Sequence, residues 1–162
     1  MTARLHFKSP LGWLSAEATD EGLCGLVIGE RGPPRPPVTA AARGHLEAAE
    51  QALRDYFAGR APAALPALDL KGSPFQREVW AALLAIPWGE VRTYGELAQA
   101  LGKAGGARAV GGANAENPVA ILVPCHRVVQ ASGRIGGYAG GVEVKRWLLA
   151  HEAAYAPALR RP

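Results

Sequence analysis

Two cysteines in 162 residues, Cys24 and Cys125, are too few for a disulfide framework, and their spacing matches no zinc motif. No apolar run reaches the length that crosses a bilayer. Met1 to Phe7 lacks the apolar core of a secretory leader, which predicts an intracellular, cytoplasmic chain with no membrane partner. No segment repeats. Neither sign of charge is in excess over the first part, where residues 1–71 carry eight Lys/Arg against eight Asp/Glu. Residues 92–134 set Arg92, Lys103, Arg108, Arg127 and Arg134 against Glu96 and Glu116, within a net charge of +4. That modest basic stretch permits a nucleic acid as partner, and an ordinary solvated surface explains it equally well. A composition 49% hydrophobic and 20% charged fits a globular protein, and the length fits one domain or two small ones.

What is present is concentrated in one stretch. Asn117-Pro118 leads into Val119, Ile121, Leu122 and Val123, and then comes Pro124-Cys125-His126-Arg127-Val128-Val129. The two prolines stiffen the segment. Thiolate, not thiol, is the nucleophile, and a nearby base or cation produces it at neutral pH. Cys125 beside His126 therefore reads as a candidate nucleophile with its base. On adjacency alone, the commoner arrangement is a buried cysteine packing as a small hydrophobe next to a packing histidine.

The surrounding pattern divides into two halves. Residues 4–8, 12–18 and 22–29 read as three short strands, joined by the turn-rich Ser9-Pro10-Leu11-Gly12 and Thr19-Asp20-Glu21-Gly22, which predicts a β-meander. Arg31-Gly32-Pro33-Pro34-Arg35-Pro36-Pro37 is a connector. Residues 40–58 place Leu46, Ala49, Leu53 and Phe57 at helical spacing, ended by Gly59, and the Ala/Pro-rich residues 60–71 form a link. Ser73-Pro74-Phe75-Gln76 is a capping box opening a helix with the stripe Phe75, Val79, Trp80, Leu83 and Leu84. Thr93-Tyr94-Gly95-Glu96 is a second capping box, starting a helix that Gly102 stops. A glycine-rich turn then leads to a short helix from Ala107 to Ala115, so the pair suggests a helix-turn-helix. Ala107-Arg108-Ala109-Val110-Gly111-Gly112-Ala113 is almost all small, which suits either close helix packing or close approach to a ligand. Val142 to Glu152 reads as the last helix, packed through Val144, Trp147 and Leu148, with a frayed tail after Ala153.

Pro124-Cys125-His126-Arg127-Val128 resembles the active-site motif of the O6-alkylguanine-DNA alkyltransferases, the methylated-DNA-protein-cysteine methyltransferases. The resemblance continues through Ile135-Gly136-Gly137-Tyr138-Ala139-Gly140-Gly141 and Lys145-Arg146-Trp147-Leu148-Leu149-Ala150-His151-Glu152. Upstream it takes in Ser73-Pro74-Phe75-Gln76, Ile86-Pro87-Trp88-Gly89, Thr93-Tyr94-Gly95-Glu96-Leu97-Ala98 and Ala107-Arg108-Ala109-Val110-Gly111. It is close over residues 72–152 and weak over the first 70. So many matches in order make chance a poor explanation, where five residues alone would be a hypothesis.

The resemblance implies an α+β fold. Residues 1–66 would be a supporting domain, a three-stranded antiparallel sheet with a helix in a ribonuclease H-like arrangement. Residues 72–155 would be a helical domain with a winged-helix-like helix-turn-helix, carrying DNA binding and alkyl transfer. It implies a monomer that binds duplex DNA through the minor groove and flips O6-methylguanine out of the stack, with O4-methylthymine a further candidate substrate. The alkyl group would pass irreversibly to Cys125 in a single turnover. His126 would be the base, Glu152 its orienting carboxylate, Asn117 a brace for the turn before the cysteine, and Arg127 an ion-pairing anchor. Arg108 would fill the vacated stack, and Tyr94 would crowd the rotated 3′ phosphate. Ala107, Gly111 and Ala115 would line the DNA-facing helix. Gly136, Tyr138 and Ala139 would fold over the base, an N–H near Ala139 meeting O6 while the Val128 carbonyl accepts from the exocyclic amine. No cofactor is implied. Some relatives hold zinc in the N-terminal part, and Cys24, His6 and His45 supply no such set, so no metal is expected. Many relatives carry a cation or polar residue and then Gly or Asn before Asn-Pro. Here Ala115-Glu116 stands there, which predicts weaker phosphate contact. A cysteine hydrolase and a DNA-damage sensor without chemistry are the rival readings.

Overall fold

The computed structural model describes residues 2–37 and 39–155. The chain divides into two compact units: the described residues up to Lys71 together with Pro118–Leu122, and Gly72–Asn117 together with the described residues from Val123 on.

In the first unit, β1 (Ala3–Ser9), β2 (Gly12–Ala18) and β3 (Leu23–Ile28) form an antiparallel sheet in the order β1-β2-β3. Register runs from Ala3 opposite Ala18 to Ser9 opposite Gly12, so the tight Ser9–Gly12 turn sets every pairing. Helix α1 (Ala40–Phe57) covers the sheet, with Thr39 accepting from the Ala42 amide as N-cap. Its buried side is Ala42, Leu46, Ala49, Ala52, Leu53 and Tyr56, so Tyr56 and not the expected Phe57 completes the stripe. Residues 67–69 run beside β3, where the Leu23 amide bonds the Ala67 carbonyl at 2.7 Å. Pro118–Leu122 joins on the same strand, with Leu26 bonding the Pro118 carbonyl and receiving the Ala120 amide, each at 2.9 Å. There Ile121 adopts φ +70°, closing a γ-turn in which Leu122 N bonds Ala120 O at 2.7 Å. A β-branched residue in that region is strained by roughly 1–3 kcal/mol.

The second unit is helical. Both capping boxes form, Ser73 with Gln76 on α2 (Pro74–Leu84) and Thr93 with Glu96 on α3 (Tyr94–Ala100). Helix α2 buries Val79, Trp80 and Leu83, while Leu84, expected in the stripe, faces outward at 38% exposure. Each large apolar side chain so buried contributes about 1.5–3 kcal/mol. The Trp80 indole donates to the Ala113 carbonyl at 2.8 Å, fixing α4 (Ala107–Ala115) against α2. Gly102, at φ +71°, ends the α3 turn. Two-residue strands β4 (Arg92–Thr93) and β5 (Val128–Val129) pair in parallel. Helix α5 runs Val142–Tyr155. Its buried face is Lys145, Leu148 and Glu152, so of the expected Val144, Trp147 and Leu148 only Leu148 is fully buried and the other two are half-buried. Ala154 and Tyr155, expected to fray, are helical, and the rest of that tail lies outside the described residues.

Candidate active site

Pro124 sits at φ −82°, ψ 64°, the inverse γ-turn, and the Cys125 amide bonds the Val123 carbonyl across it at 2.8 Å. That turn opens a single 3-10 turn, Cys125–Arg127, whose three side chains are all buried. Proline's restricted φ suits the turn. Asn117 steadies it by donating to the Val123 carbonyl at 2.8 Å. Asn114, on α4, donates to the Cys125 carbonyl at 3.2 Å. Two amides three residues apart thus hold the main chain on either side of Pro124.

The carboxylate comes from α5. Glu152 is 1% exposed and receives four donors. Arg127 gives Nε at 2.7 Å and Nη2 at 3.2 Å, Gly89 N lies at 3.4 Å, and His126 Nε2 stands 2.5 Å from Oε2. An ionised carboxylate only accepts, so the ring proton belongs on Nε2 and the ring's basic atom is Nδ1. Arg127 also reaches the Ile86 carbonyl at 2.7 Å. Burial is the main influence on His126 and lowers its pKa, outweighing the Glu152 hydrogen bond and charge. His126 is therefore neutral near pH 7 and able to accept a proton. Burial likewise pushes the Cys125 thiol up, with Asn117, Lys145 and Tyr138 pulling it back only in part. The resting pair is a thiol and a neutral imidazole, so ionisation needs a proton transfer.

Lys145 is the residue that sequence reading left out of the site. It is fully buried on α5 and donates to the carbonyls of Val128 at 2.6 Å and Gly137 at 3.2 Å. Burial lowers its pKa to about 8, against a smaller upward pull from Cys125. The available signal was its spacing: Lys145, Leu148 and Glu152 lie on one helical face. Asn114 was also passed over, being an ordinary polar residue within a helix.

The remaining expected residues fall into two groups. Tyr94, Gly136 and Tyr138 gather by Lys145 and Cys125. The hydroxyl of Tyr138 is buried, and both tyrosines are shifted upward, by burial first and by Cys125 second. The Val128 carbonyl already receives Lys145, leaving one lone pair for a ligand. Ala139 is exposed on the loop before α5. Arg108 and Ala115 are exposed on α4, with Ala107 and Gly111 half-buried. No group of three or more metal-ligating side chains exists among the described residues.

Gly136 carries a testable constraint. Its φ is +79°, and a Cβ there would lie 3.2 Å from Tyr94 Oη and 3.4 Å from Lys145 Nζ. Gly136→Ala is expected to cost about 1–2 kcal/mol through the left-handed backbone and to slow Cys125 alkylation by displacing both groups. Single-turnover rates on a lesion-bearing duplex would measure it, and an unaltered rate would sink the idea.

Comparison with known proteins gives the family. Residues 74–154 match the family model described as "6-O-methylguanine DNA methyltransferase, DNA binding domain". A methylated-DNA-protein-cysteine methyltransferase of Mycolicibacterium paratuberculosis is 48% identical over 152 residues, covering 93% of this chain and 92% of the relative. The crystal structure of Mycobacterium tuberculosis OGT in complex with DNA superposes with a TM-score of 0.82 at 44% identity, covering 94% of each chain. An O6-methylguanine DNA methyltransferase from Methanococcus jannaschii superposes at 0.67 with 28% identity, covering 92% of this chain and 93% of that one. With its α+β fold and this buried cysteine-histidine-glutamate arrangement, the chain belongs to the 6-O-methylguanine DNA methyltransferase family.

Proposed function

We propose that this protein repairs duplex DNA by moving the alkyl group of O6-methylguanine onto Sγ of Cys125, once per molecule. The observation that carries the reading is a buried thiol in the same 3-10 turn as a neutral histidine braced by a buried carboxylate. His126 Nδ1 takes the thiol proton, directly or through one water, and Glu152 stabilises the imidazolium. The thiolate attacks the alkyl carbon. The carbon–oxygen bond breaks with its electron pair going to guanine O6, and a proton from Tyr94 or Tyr138 lets the base leave neutral. The product is a thioether, a very poor leaving group, so the cysteine is not regenerated and no cofactor enters.

DNA is the partner this chemistry requires, bound as a monomer through the minor groove with the target base flipped. The surface of α4 supports that reading. A Cβ added at Gly112 would meet nothing within 4 Å, and one at Gly111 only the Tyr94 ring at an ordinary 3.8 Å. Packing inside the protein therefore does not require these glycines, although each costs about 1 kcal/mol of helix stability relative to alanine. Their smallness suits a narrow groove, with Arg108 as the long side chain placed to enter the vacated stack. Gly112→Ala is expected to raise the thermal midpoint slightly while weakening duplex binding severalfold. Binding isotherms with an undamaged duplex decide it: unchanged affinity would remove α4 from the interface.

Intact-protein and peptide mass spectrometry after mixing with an O6-methylguanine duplex tests the whole scheme. One methyl on the Cys125 peptide, saturating at one per protein and absent in Cys125→Ser, is the expected result. Binding to the lesion with no added mass would indicate a sensor.

A further inference from the structure

Asn114 makes a bond that the backbone does not require. Its Nδ2 donates to the Cys125 carbonyl at 3.2 Å, and that carbonyl already receives the Val128 amide at the close of the 3-10 turn. Deleting the side chain would therefore leave that carbonyl paired. The other end of the amide is poorly placed. Asn114 is 6% exposed, and its buried Oδ1 meets no donor among the described residues. This orientation is forced, because a carbonyl only accepts and must face the NH2 group. A buried acceptor without a protein donor opposes folding, and asparagine is a poorer helix former than leucine or alanine. For helix formation and burial alone, an apolar residue would serve better in the last turn of α4. What the bond does provide is a tie between two elements. The Trp80 indole fixes α4 against α2 through the Ala113 carbonyl, one residue before Asn114. Asn114 then grips the carbonyl of the nucleophile itself. Burial, Asn117, Lys145, the Cys125 main chain and Tyr138 act on the thiol proton. Asn114 acts instead on where that residue stands.

We propose that Asn114 is a positioning residue for alkyl transfer, its side-chain amide tying the Cys125 main chain to the last turn of α4 and so holding Sγ in line with the lesion that this helix docks. This rests on the transfer chemistry proposed above. A reacting group misplaced by roughly 1 Å can lose about a hundredfold in rate. Asn114→Leu keeps the branched shape and deletes both polar atoms. Its thermal midpoint is expected to equal or exceed that of wild type, with affinity for a lesion-bearing duplex unchanged. Transfer to Cys125 at saturating duplex should slow about tenfold. Alkylation of Cys125 by iodoacetamide should keep its pH midpoint, since other groups set the thiol's acidity. A lowered thermal midpoint with an unchanged transfer rate in the folded fraction would mean a merely structural role and overturn the proposal. So would a shifted iodoacetamide midpoint, which moves the effect to the thiol proton, or weakened duplex binding, which moves it to docking. Asn114→Ala, which adds no bulk, repeats the comparison if the leucine does not fit.

A measurement without DNA tests the bond itself. With cysteine labelled at its carbonyl carbon, the Cys125 signal is assigned by its loss in Cys125→Ser. It should move upfield in Asn114→Leu as one of the carbonyl's two donors is lost, and an unmoved signal would refute the tie. Should wild type show no transfer at all, the repair reading fails, while the carbonyl signal still decides whether Asn114 holds the main chain of Cys125.

Discussion

Replacing Glu152 with Gln is expected to abolish most alkyl transfer and to remove about 3–5 kcal/mol of folding stability at neutral pH. The carboxylate is the shared acceptor for His126 and for two Arg127 donors, all buried. An amide offers a single acceptor oxygen and no charge, so the Arg127 guanidinium would be left buried without its counter-ion. The pH dependence identifies the cause. Burial alone would raise the Glu152 carboxyl, but the His126 hydrogen bond and charge, followed by those of Arg127, hold it at about 2 against an ordinary 4.5. A folded pKa below the unfolded one means stabilisation that is complete above about pH 4.5 and lost as the pH falls towards 2. His126, lowered by burial, adds a second loss that begins below its ordinary 6.5. Thermal unfolding of both proteins at pH 7, 5 and 3 should show the gap between them closing at the acid end. A gap of constant size from pH 7 to 3 would mean that the ion network is not its source.

The residues gathered on Glu152 mark what local sequence signals can and cannot convey. Capping boxes at Ser73 and Thr93, the Ser9–Gly12 turn and the glycine after α3 are written within four or five residues, and each element forms where those signals place it. Cys125 and His126 are adjacent, so they too could be read directly. Glu152 lies 26 residues from His126, and only a family resemblance tied the two together in advance. Three other features are not decided by local patterning. Pro118–Leu122 pairs with β3, a partner more than 90 residues away that periodicity cannot name. Lys145 shares a buried helical face with Leu148 and Glu152, and because lysine is so seldom fully buried, apolar patterning points to Val144 and Trp147 instead. Phe57 and Tyr56 are neighbours of similar character, and the helix rotation that chose Tyr56 depends on the sheet beneath it. What failed was long-range pairing and the burial of a charge, both decided by tertiary context.

That buried charge yields the second large expectation. Lys145→Met should leave folding stability at pH 7 within about 1 kcal/mol of wild type while slowing transfer to Cys125 at least tenfold. The asymmetry follows from what surrounds the ammonium. Its two hydrogen bonds end on carbonyls, and no carboxylate pairs with it among the described residues. A lone buried charge opposes folding, and its removal offsets the lost hydrogen bonds. The thiol gains from the same charge, since Lys145 is one of the groups that pull Cys125 back from the rise caused by burial. An opposite charge acting on a buried thiol favours the thiolate, so removing it should lower the thiolate population. Peptide-resolved alkylation with iodoacetamide across a pH series should therefore show Cys125 titrating higher in the variant. The stability curve supplies the sign. Lys145 titrates at about 8 when folded against an ordinary 10.5, so the unfolded chain binds more protons in that window and wild type gains stability on the variant as pH rises through it. Equal transfer rates would show that the ammonium holds carbonyls in place and contributes nothing to the thiolate. A wild-type midpoint that gains nothing on Lys145→Met between pH 8 and 10.5 would show that burial leaves its proton affinity unchanged.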